Sequence, residues 1–344
     1  MKKAFDSVSL SMLKKAMERI KIPDKAIGLI LSLFENRSSK IITATGLTEP
    51  VEMVDGIEQG EVLFPLLWRI FYDPLLVRVQ ESAELGYYIS ASEPRLGPRD
   101  HIQKKEIKVA VVAYADDTTW LAPNKQVMEK TLSIANEFFQ INDIQINVKK
   151  SNLIVFNPKT KAEERIITFG RESIAKEKPH SITRLLGIWL NSRLNERQIF
   201  LKAKGIVQQT VQSLRWKRLT ASQLAYINNM CIIPKLCYLL QLSRMSKVLI
   251  NKIHQPIIRL AKNKLELQIT TPNYVVTHKS IGNFRTLEAE LLNKQITSVH
   301  NRLNDESQIS AITEIRIEQF HKLAGLVKDF ELHNVDNSNL LEKL

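Results

Sequence analysis

The run Val109-Ala110-Val111-Val112-Ala113-Tyr114-Ala115-Asp116-Asp117-Thr118-Thr119-Trp120-Leu121 constrains the fold of this chain more than any other segment. An apolar strand enters two adjacent carboxylates, and a second short strand leaves them. A hairpin tip is ordinarily built from Asn-Gly, Asp-Gly or Gly-Gly, whose backbones suit the turn. Neighbouring aspartates repel each other, so stability alone rarely selects them. Divalent cations would remove that repulsion. Hard carboxylate oxygens on a rigid hairpin suit a site that holds two Mg²⁺ ions about 3.5–4 Å apart for phosphoryl transfer. The other reading is a solvated acidic turn, and the rest of the chain has to decide between them.

With 344 residues, 44% of them hydrophobic, the chain can build a sizeable core, in two domains or in one large domain with an appendage. No run of apolar residues reaches the length of a membrane span. The opening Met1-Lys2-Lys3-Ala4-Phe5-Asp6-Ser7 puts a carboxylate where a secretion signal needs an apolar stretch. Cys231 and Cys237 match neither zinc-site spacing nor a disulfide framework. These features suit a reduced, intracellular protein of the nucleus or cytoplasm.

The net charge of +13 is unevenly distributed. Residues 201–270 carry twelve Lys or Arg (Lys202, Lys204, Arg215, Lys217, Arg218, Lys235, Arg244, Lys247, Lys252, Arg259, Lys262 and Lys264) against one acid, Glu266. A solvated helical face usually mixes both signs. Seventy residues with a single acid suggest a surface for a polyanion, with a plain solubility face as the competing explanation.

Periodicity places helices at Ser9–Ile20, with Ser9 as cap, and from Pro23 as first helical residue. Strands are expected at 40–45 and 51–54, then a long apolar helix over 60–80 carrying Pro65 and Pro74, the latter as a kink or break. Residues 91–106 read as an exposed loop. An amphipathic helix spans Asn124–Asn142. Strand candidates are 151–156, 165–169 and 184–190, the last with a mid-strand glycine. From Glu196 onward the pattern is almost entirely helical, so the domain boundary is expected near residue 195.

Three further segments join the aspartate pair: Met1-Lys2-Lys3-Ala4-Phe5-Asp6-Ser7-Val8, Gly56-Ile57-Glu58-Gln59-Gly60, and Arg184-Leu185-Leu186-Gly187-Ile188-Trp189-Leu190. In order and rough spacing the set resembles the palm of a reverse transcriptase, of the type encoded by non-LTR (LINE-like) retrotransposons. The corresponding family motifs are Asp-x-x-Lys-Ala-Phe-Asp, Gly-x-x-Gln-Gly, Ala/Tyr-Ala-Asp-Asp and a Leu-Gly strand. The resemblance covers about residues 1–195. It implies an α+β fold, a right-hand palm over 1–195 without upstream fingers, followed by an all-α, basic thumb and C-terminal region over 196–344. The implied activity is RNA-directed DNA polymerisation on an RNA template and DNA primer with deoxynucleoside triphosphates.

The resemblance implies a role for each matched residue. Asp116 would bind both of two Mg²⁺ ions, with Mn²⁺ as a substitute, and Asp117 would support the site. Phe5 would sit under the sugar and exclude a 2′-hydroxyl. The backbone N–H groups of Lys3 and Ala4 would face the triphosphate, and Gln59 and Gly60 would border the incoming nucleotide. Lys150 matches a lysine that protonates pyrophosphate. Leu186, Gly187 and Trp189 would grip the primer. Lys202, Lys204, Arg215, Lys217 and Arg218 would bind nucleic acid. Taken apart from the family, Phe5 and Trp189 read as core, Gln59-Gly60 as a turn and Lys150 as a surface lysine.

The sequence also departs from the pattern. The aspartate that heads the first motif falls one position before Met1, and Asp6 matches the motif's second acid instead. Phe64 stands where the family usually has Ser before Pro65. The expectation is therefore a truncated and inactive copy, since losing a carboxylate shared by both metals removes roughly a thousandfold in rate or more. The alternatives are a non-catalytic nucleic-acid-binding remnant and a maturase-like reverse transcriptase of group II introns. An RNA-dependent RNA polymerase generally carries Gly-Asp-Asp in its hairpin, where this chain has Ala-Asp-Asp.

Overall fold

The computed structural model describes residues 7–52, 56–57, 62–92, 104–156, 165–175, 182–190, 192 and 196–324. These gather into two compact units, the first within 1–153, 159–176 and 315–344, the second within 154–158 and 177–314. In the first unit α1 (Leu10–Arg19) and α2 (Asp24–Ser32) precede four two-residue strands, β1 (Ser38–Ser39), β2 (Ile42–Thr43), β3 (Gly46–Leu47) and β4 (Val51–Glu52). Then come α3 (Phe64–Glu81), β5 (Tyr87–Ser92), β6 (Lys104–Val109), β7 (Val111–Tyr114), β8 (Asp117–Trp120), α4 (Lys125–Ile141), β9 (Ile166–Phe169) and β10 (Glu172–Ala175). Among the described residues every ladder is antiparallel and two-stranded: β1 with β4, β2 with β3, β5 with β6, β7 with β8, β9 with β10. The chain is thus a mixture of helices and small antiparallel ladders.

Several local expectations change. Pro23 is the residue before α2, with Asp24 the first helical one. Ser9 precedes α1, but its hydroxyl meets that of Ser11 at 2.9 Å and caps nothing. Within the spans expected as strands at 40–45 and 51–54, Ile42–Thr43 and Val51–Glu52 are strand, but β2 pairs with β3 and β4 with β1 rather than with each other, and 53–54 lie outside the described residues. Part of the expected loop at 91–106 is strand, since β6 pairs with β5 from Tyr87↔Val109 to Ser92↔Lys104. Residues 93–103 lie outside the described set. Lys104-Lys105-Glu106 is charged and reads as loop, but its backbone groups are taken up by β5. Residues 151–156 form no extended strand.

Helix α3 is the centre of the first unit. Phe64, Leu67, Trp68, Phe71, Tyr72, Leu75 and Val79 are all buried, on one stripe of the helix. Trp68 stacks on Tyr72 with ring centroids 5.4 Å apart, and Tyr72 on Phe139 of α4 at 6.4 Å. Pro74 lies inside the helix without ending it. An interior proline costs about 3 kcal/mol. Seven buried apolar side chains, each worth roughly 1.5–3 kcal/mol, outweigh that.

The second unit begins with β11 (Thr183–Leu185) and β12 (Ile188–Leu190), an antiparallel pair. It continues with α5 (Arg197–Arg215), α6 (Ala221–Ile227), α7 (Ile233–Leu240), α8 (Lys247–Lys264), α9 (Asn273–Thr277) and α10 (Leu287–Leu303). The last helix, α11 (Gln308–Ala324), starts in this unit and ends in the first. There Gln319 donates to the Ser90 carbonyl at 2.7 Å and Glu318 pairs with Lys105 at 3.0 Å. The core of the second unit joins Ala203 and Val207 of α5, Leu236 and Leu240 of α7, and Ile253 and Ile257 of α8. No helix among the described residues is long and apolar enough to cross a membrane.

Between α6 and α7 the chain makes a π-helical turn, Asn228–Ile232, just before Pro234. A proline ring clashes with the carbonyl four residues back in an α-helix, and a widened turn gives that carbonyl room. The same turn feeds a buried polar chain. Asn228 meets the Nε2 of His254 at 2.8 Å and donates to the Arg285 carbonyl at 3.1 Å, while Asn229 donates to the Asn283 carbonyl at 2.8 Å. Burial holds the His254 imidazole down to about 4, from an ordinary 6.5. The unfolded chain therefore takes up this proton at a higher pH than the folded chain. The stability tied to neutral His254 is complete above about pH 6.5 and disappears as pH falls towards 4, a loss of roughly 3 kcal/mol. Urea unfolding followed by helical circular dichroism should show this loss between pH 7 and 4.5, and His254→Gln should flatten the profile over that range.

Candidate active site and nucleic-acid interface

The aspartate hairpin pairs Val111↔Trp120 through Tyr114↔Asp117, which leaves Ala115 and Asp116 as its two turn residues. The two acids therefore differ in position. Asp116 is half-buried in the turn, whereas Asp117 is exposed and begins β8. Ala115 has φ 51, the left-handed region that a side chain enters at a cost of about 1 kcal/mol. What holds it there is visible. The indole N–H of Trp68 donates to the Ala115 carbonyl at 3.0 Å, and the Tyr72 hydroxyl meets that of Thr118 at 3.1 Å. Two residues one helical turn apart on α3 thus grip both sides of the acidic turn. Burial, and secondarily the Asp116 charge, push the Tyr72 phenol well above its usual range, while its bond to Thr118 opposes them. It stays a neutral hydrogen-bonding group.

Of the first and second motifs, Lys3, Ala4, Phe5, Gln59 and Gly60 lie outside the described residues. The residues that border them are described. Gly56 N–H donates to the Val8 carbonyl at 2.9 Å, which joins the segment after the first motif to the start of the second. Arg37 donates to the Gly56 carbonyl at 2.9 Å and lies 4.8 Å from the Phe34 ring centre. Lys150 is exposed in a short 3₁₀ turn, Val148–Lys150.

Two carboxylates on a rigid turn are the hard oxygen donors that Mg²⁺ takes, usually one or two per ion with water and substrate phosphates completing its shell. The donor chemistry fits. Among the described residues no cluster of three or more His, Cys, Asp or Glu forms a metal site.

The expected mid-strand glycine is a turn glycine. Leu186 and Gly187 connect β11 to β12 with φ 47 and 86, the both-positive pattern of a tight hairpin. Tyr238 of α7 donates its hydroxyl to the Leu186 carbonyl, and a Cβ on Gly187 would come within 2.9 Å of its ring. Trp189 is half-buried, with the Lys202 ammonium 3.8 Å from its ring centre. This loop and the aspartate hairpin belong to different units, and each is positioned by its own neighbours.

Several of the twelve cations are engaged within the fold, and others face solvent. Lys262 is buried and donates to the Ile269 carbonyl at 3.0 Å, Lys247 pairs with Glu288 at 2.7 Å, and Lys264 binds the carbonyls of Arg215 and Lys217. Arg215, Lys217 and Arg218 are exposed, and Lys204 is half-buried. Lys204 and Arg215 are eleven residues apart, three helical turns, and so share a face of α5 about 16 Å long. Lys202 lies on a different face.

Nothing in the sequence marks Trp68, Tyr72, Arg37 or Tyr238 as site residues. An aromatic in an apolar helix reads as core, and nothing local distinguishes one whose N–H reaches a distant turn.

With the fold and site in view, comparison with known proteins places the chain. It belongs to the reverse transcriptase (RNA-dependent DNA polymerase) family, whose profile matches residues 1–190. It is similar to the retrovirus-related Pol polyprotein from type-1 retrotransposable element R2 of Popillia japonica, 25% identical over 283 residues, covering 79% of this chain and 36% of that protein. It is also similar to the R2 polyprotein of Nasonia vitripennis, 23% identical over 277 residues, covering 79% of this chain and 25% of that protein. These relatives bear out the non-LTR type that the motifs imply. The chain spans about a quarter to a third of the length of the curated relatives it matches.

Gly187→Ala should lower stability by about 1–2 kcal/mol, because an alanine there has to hold a left-handed backbone against the Tyr238 ring. Thermal unfolding of the variant beside Tyr238→Ala/Gly187→Ala, in which the ring is absent, separates the backbone cost from the contact.

Proposed function

We propose that this chain carries the palm and thumb of an RNA-directed DNA polymerase, the palm over 1–195 and the basic thumb over 196–344. The observation that carries this reading is the Trp68–Ala115 hydrogen bond, which fixes the turn of Asp116 and Asp117 to the helix that follows the second motif. When bound, two Mg²⁺ ions, or Mn²⁺ in their place, would lower the pKa of the primer 3′-hydroxyl and neutralise charge on the α-phosphate and the leaving pyrophosphate.

The chain's own residues do the rest. Asp116, held in the turn, would supply carboxylate oxygens to the metal ions, and Asp117 would support them from the start of β8. Phe5 excludes a 2′-hydroxyl by clash. The family match would put the backbone amides of Lys3 and Ala4 at the triphosphate, and Gln59 and Gly60 at the incoming nucleotide. Lys150, exposed, can hand a proton to pyrophosphate. Leu186, Gly187 and Trp189, braced by Tyr238, steady the primer strand. Lys202, Lys204, Arg215, Lys217 and Arg218 take the phosphates of the template–primer.

Primer extension on an RNA template tests the reading. The chain is joined to the segment that precedes the matched region in the Popillia japonica relative, with an aspartate immediately before Met1. Extension with Mg²⁺ or Mn²⁺ is expected, and Asp116→Ala should reduce it by roughly a thousandfold or more. Template–primer binding without extension, or extension that survives Asp116→Ala, overturns it.

Metal binding gives a second check on the chain as it stands. A Tb³⁺ ion held by Asp116 and Asp117 lies near the Trp68 indole, so emission excited through tryptophan should appear and be competed by Mg²⁺. Asp116→Asn should weaken it by at least the roughly tenfold that loss of even an outer partner costs a metal site.

A further inference from the structure

The connection from α5 to α6 presents an aromatic ring to solvent in a way the polymerase reading does not use. Trp216, the first residue after α5, is 83% exposed, while Trp68 is 1% exposed. It stands in the run Arg215-Trp216-Lys217-Arg218. An isolated surface tryptophan would need no explanation. This one is mounted on a fastened turn and bounded by cations.

The fastening comes from both sides. The Lys264 ammonium donates to the Arg215 carbonyl at 3.3 Å and the Lys217 carbonyl at 2.8 Å, spanning Trp216. Lys217 N–H donates to the Leu214 carbonyl at 3.1 Å. Four residues past Trp216, Thr220 and Gln223 exchange reciprocal bonds that start α6. A side chain on such a turn loses little backbone freedom when it binds. The Arg215 guanidinium lies 5.0 Å from the Trp216 ring centre. Among the described residues, no acid pairs with Arg215, Lys217 or Arg218, all of which are exposed.

We propose that Trp216 is a stacking platform for an unpaired base of a single-stranded nucleic acid, with Lys217 and Arg218 on the flanking phosphates. The arginine at the ring adds a cation to the stack, and the exposed indole surface can meet a base. Stacking on aromatics combined with backbone-tracking cations is the physics of single-strand binding without sequence preference. Protein or lipid partners would also accept an exposed indole. The surrounding charge, positive and unopposed, favours a polyanion whose bases offer flat apolar faces. The inference rests on the helical unit being a nucleic-acid surface, though not on catalysis.

The test uses the full chain with a fluorescent 15-residue oligo(dT), a blunt duplex and an abasic sugar-phosphate oligomer of equal charge. Trp216→Ala should weaken oligo(dT) binding roughly tenfold. It should leave the abasic oligomer, the duplex and the salt slope unchanged, and Trp216→Phe should recover part of the loss. Lys217→Gln and Arg218→Gln should weaken all three probes, each reducing the salt slope by about 1. Because Trp216 is exposed, the thermal transition of the alanine variant should match that of the parent.

If Trp216→Ala binds oligo(dT) as the parent does while the cation variants fail, the platform is wrong and the basic surface stands. If no variant changes binding, both are wrong. Quenching of Trp216 by anionic lipid vesicles, with none by oligo(dT), also overturns the proposal.

Discussion

The acidic turn of the first unit is held by two hydrogen bonds from α3, one of them between an indole and a backbone carbonyl. Ala115 occupies a backbone conformation that glycine would adopt without strain, and Asp116 and Asp117 add their mutual repulsion to that cost. The turn persists because α3 reaches it twice, with Trp68 on the Ala115 carbonyl and Tyr72 on the Thr118 hydroxyl. Those two side chains are themselves locked in a stack that runs on to Phe139. A strained acidic turn is thus held in place by aromatic packing, an arrangement in which local strain is paid for elsewhere in the core.

In the second unit, charge serves two purposes that sequence cannot tell apart. Lys262 and Lys264 are two residues apart in α8, yet neither simply faces solvent. One is buried against the Ile269 carbonyl, and the other closes the end of α5 by binding carbonyls left over at a helix C-terminus. Arg215, Lys217 and Arg218, at that same helix end, remain exposed. The basic composition of residues 201–270 therefore overstates the surface available to a polyanion. The nearby polar chain through Asn228, Asn229 and His254 follows the same logic, with each buried polar group finding a partner.

The long elements were legible where their signals were local. The helix over 124–142 is legible from its amphipathic stripe, and α4 runs from Lys125 to Ile141 with the Asn124 side chain accepting from the Val127 N–H. The aspartate hairpin was legible because an apolar strand, an acidic pair and a second strand are contiguous. The failures involve pairing. A single strand over 184–190 became a hairpin because Leu186 joins Gly187 in the left-handed region, which leucine gives no reason to expect. Lys104–Val109 became a strand because β5 supplies its partner. For the candidate site, the carboxylates could be named from sequence, whereas Trp68, Tyr72, Arg37 and Tyr238 could not. Their roles lie in contacts across 46 to 52 residues in three of the four cases.

The sequence by itself determined the family, through four short motifs in order, and the uneven charge that marks the helical region. It did so because those features are composition and spacing, which a linear string carries in full. Tertiary structure alone decided that Asp116 lies in the turn and Asp117 on the strand, because the register of β7 on β8 sets which residues are left unpaired. It also decided which lysines brace the fold and which face solvent, since a charge is spent or free according to the carbonyls and acids that folding brings beside it.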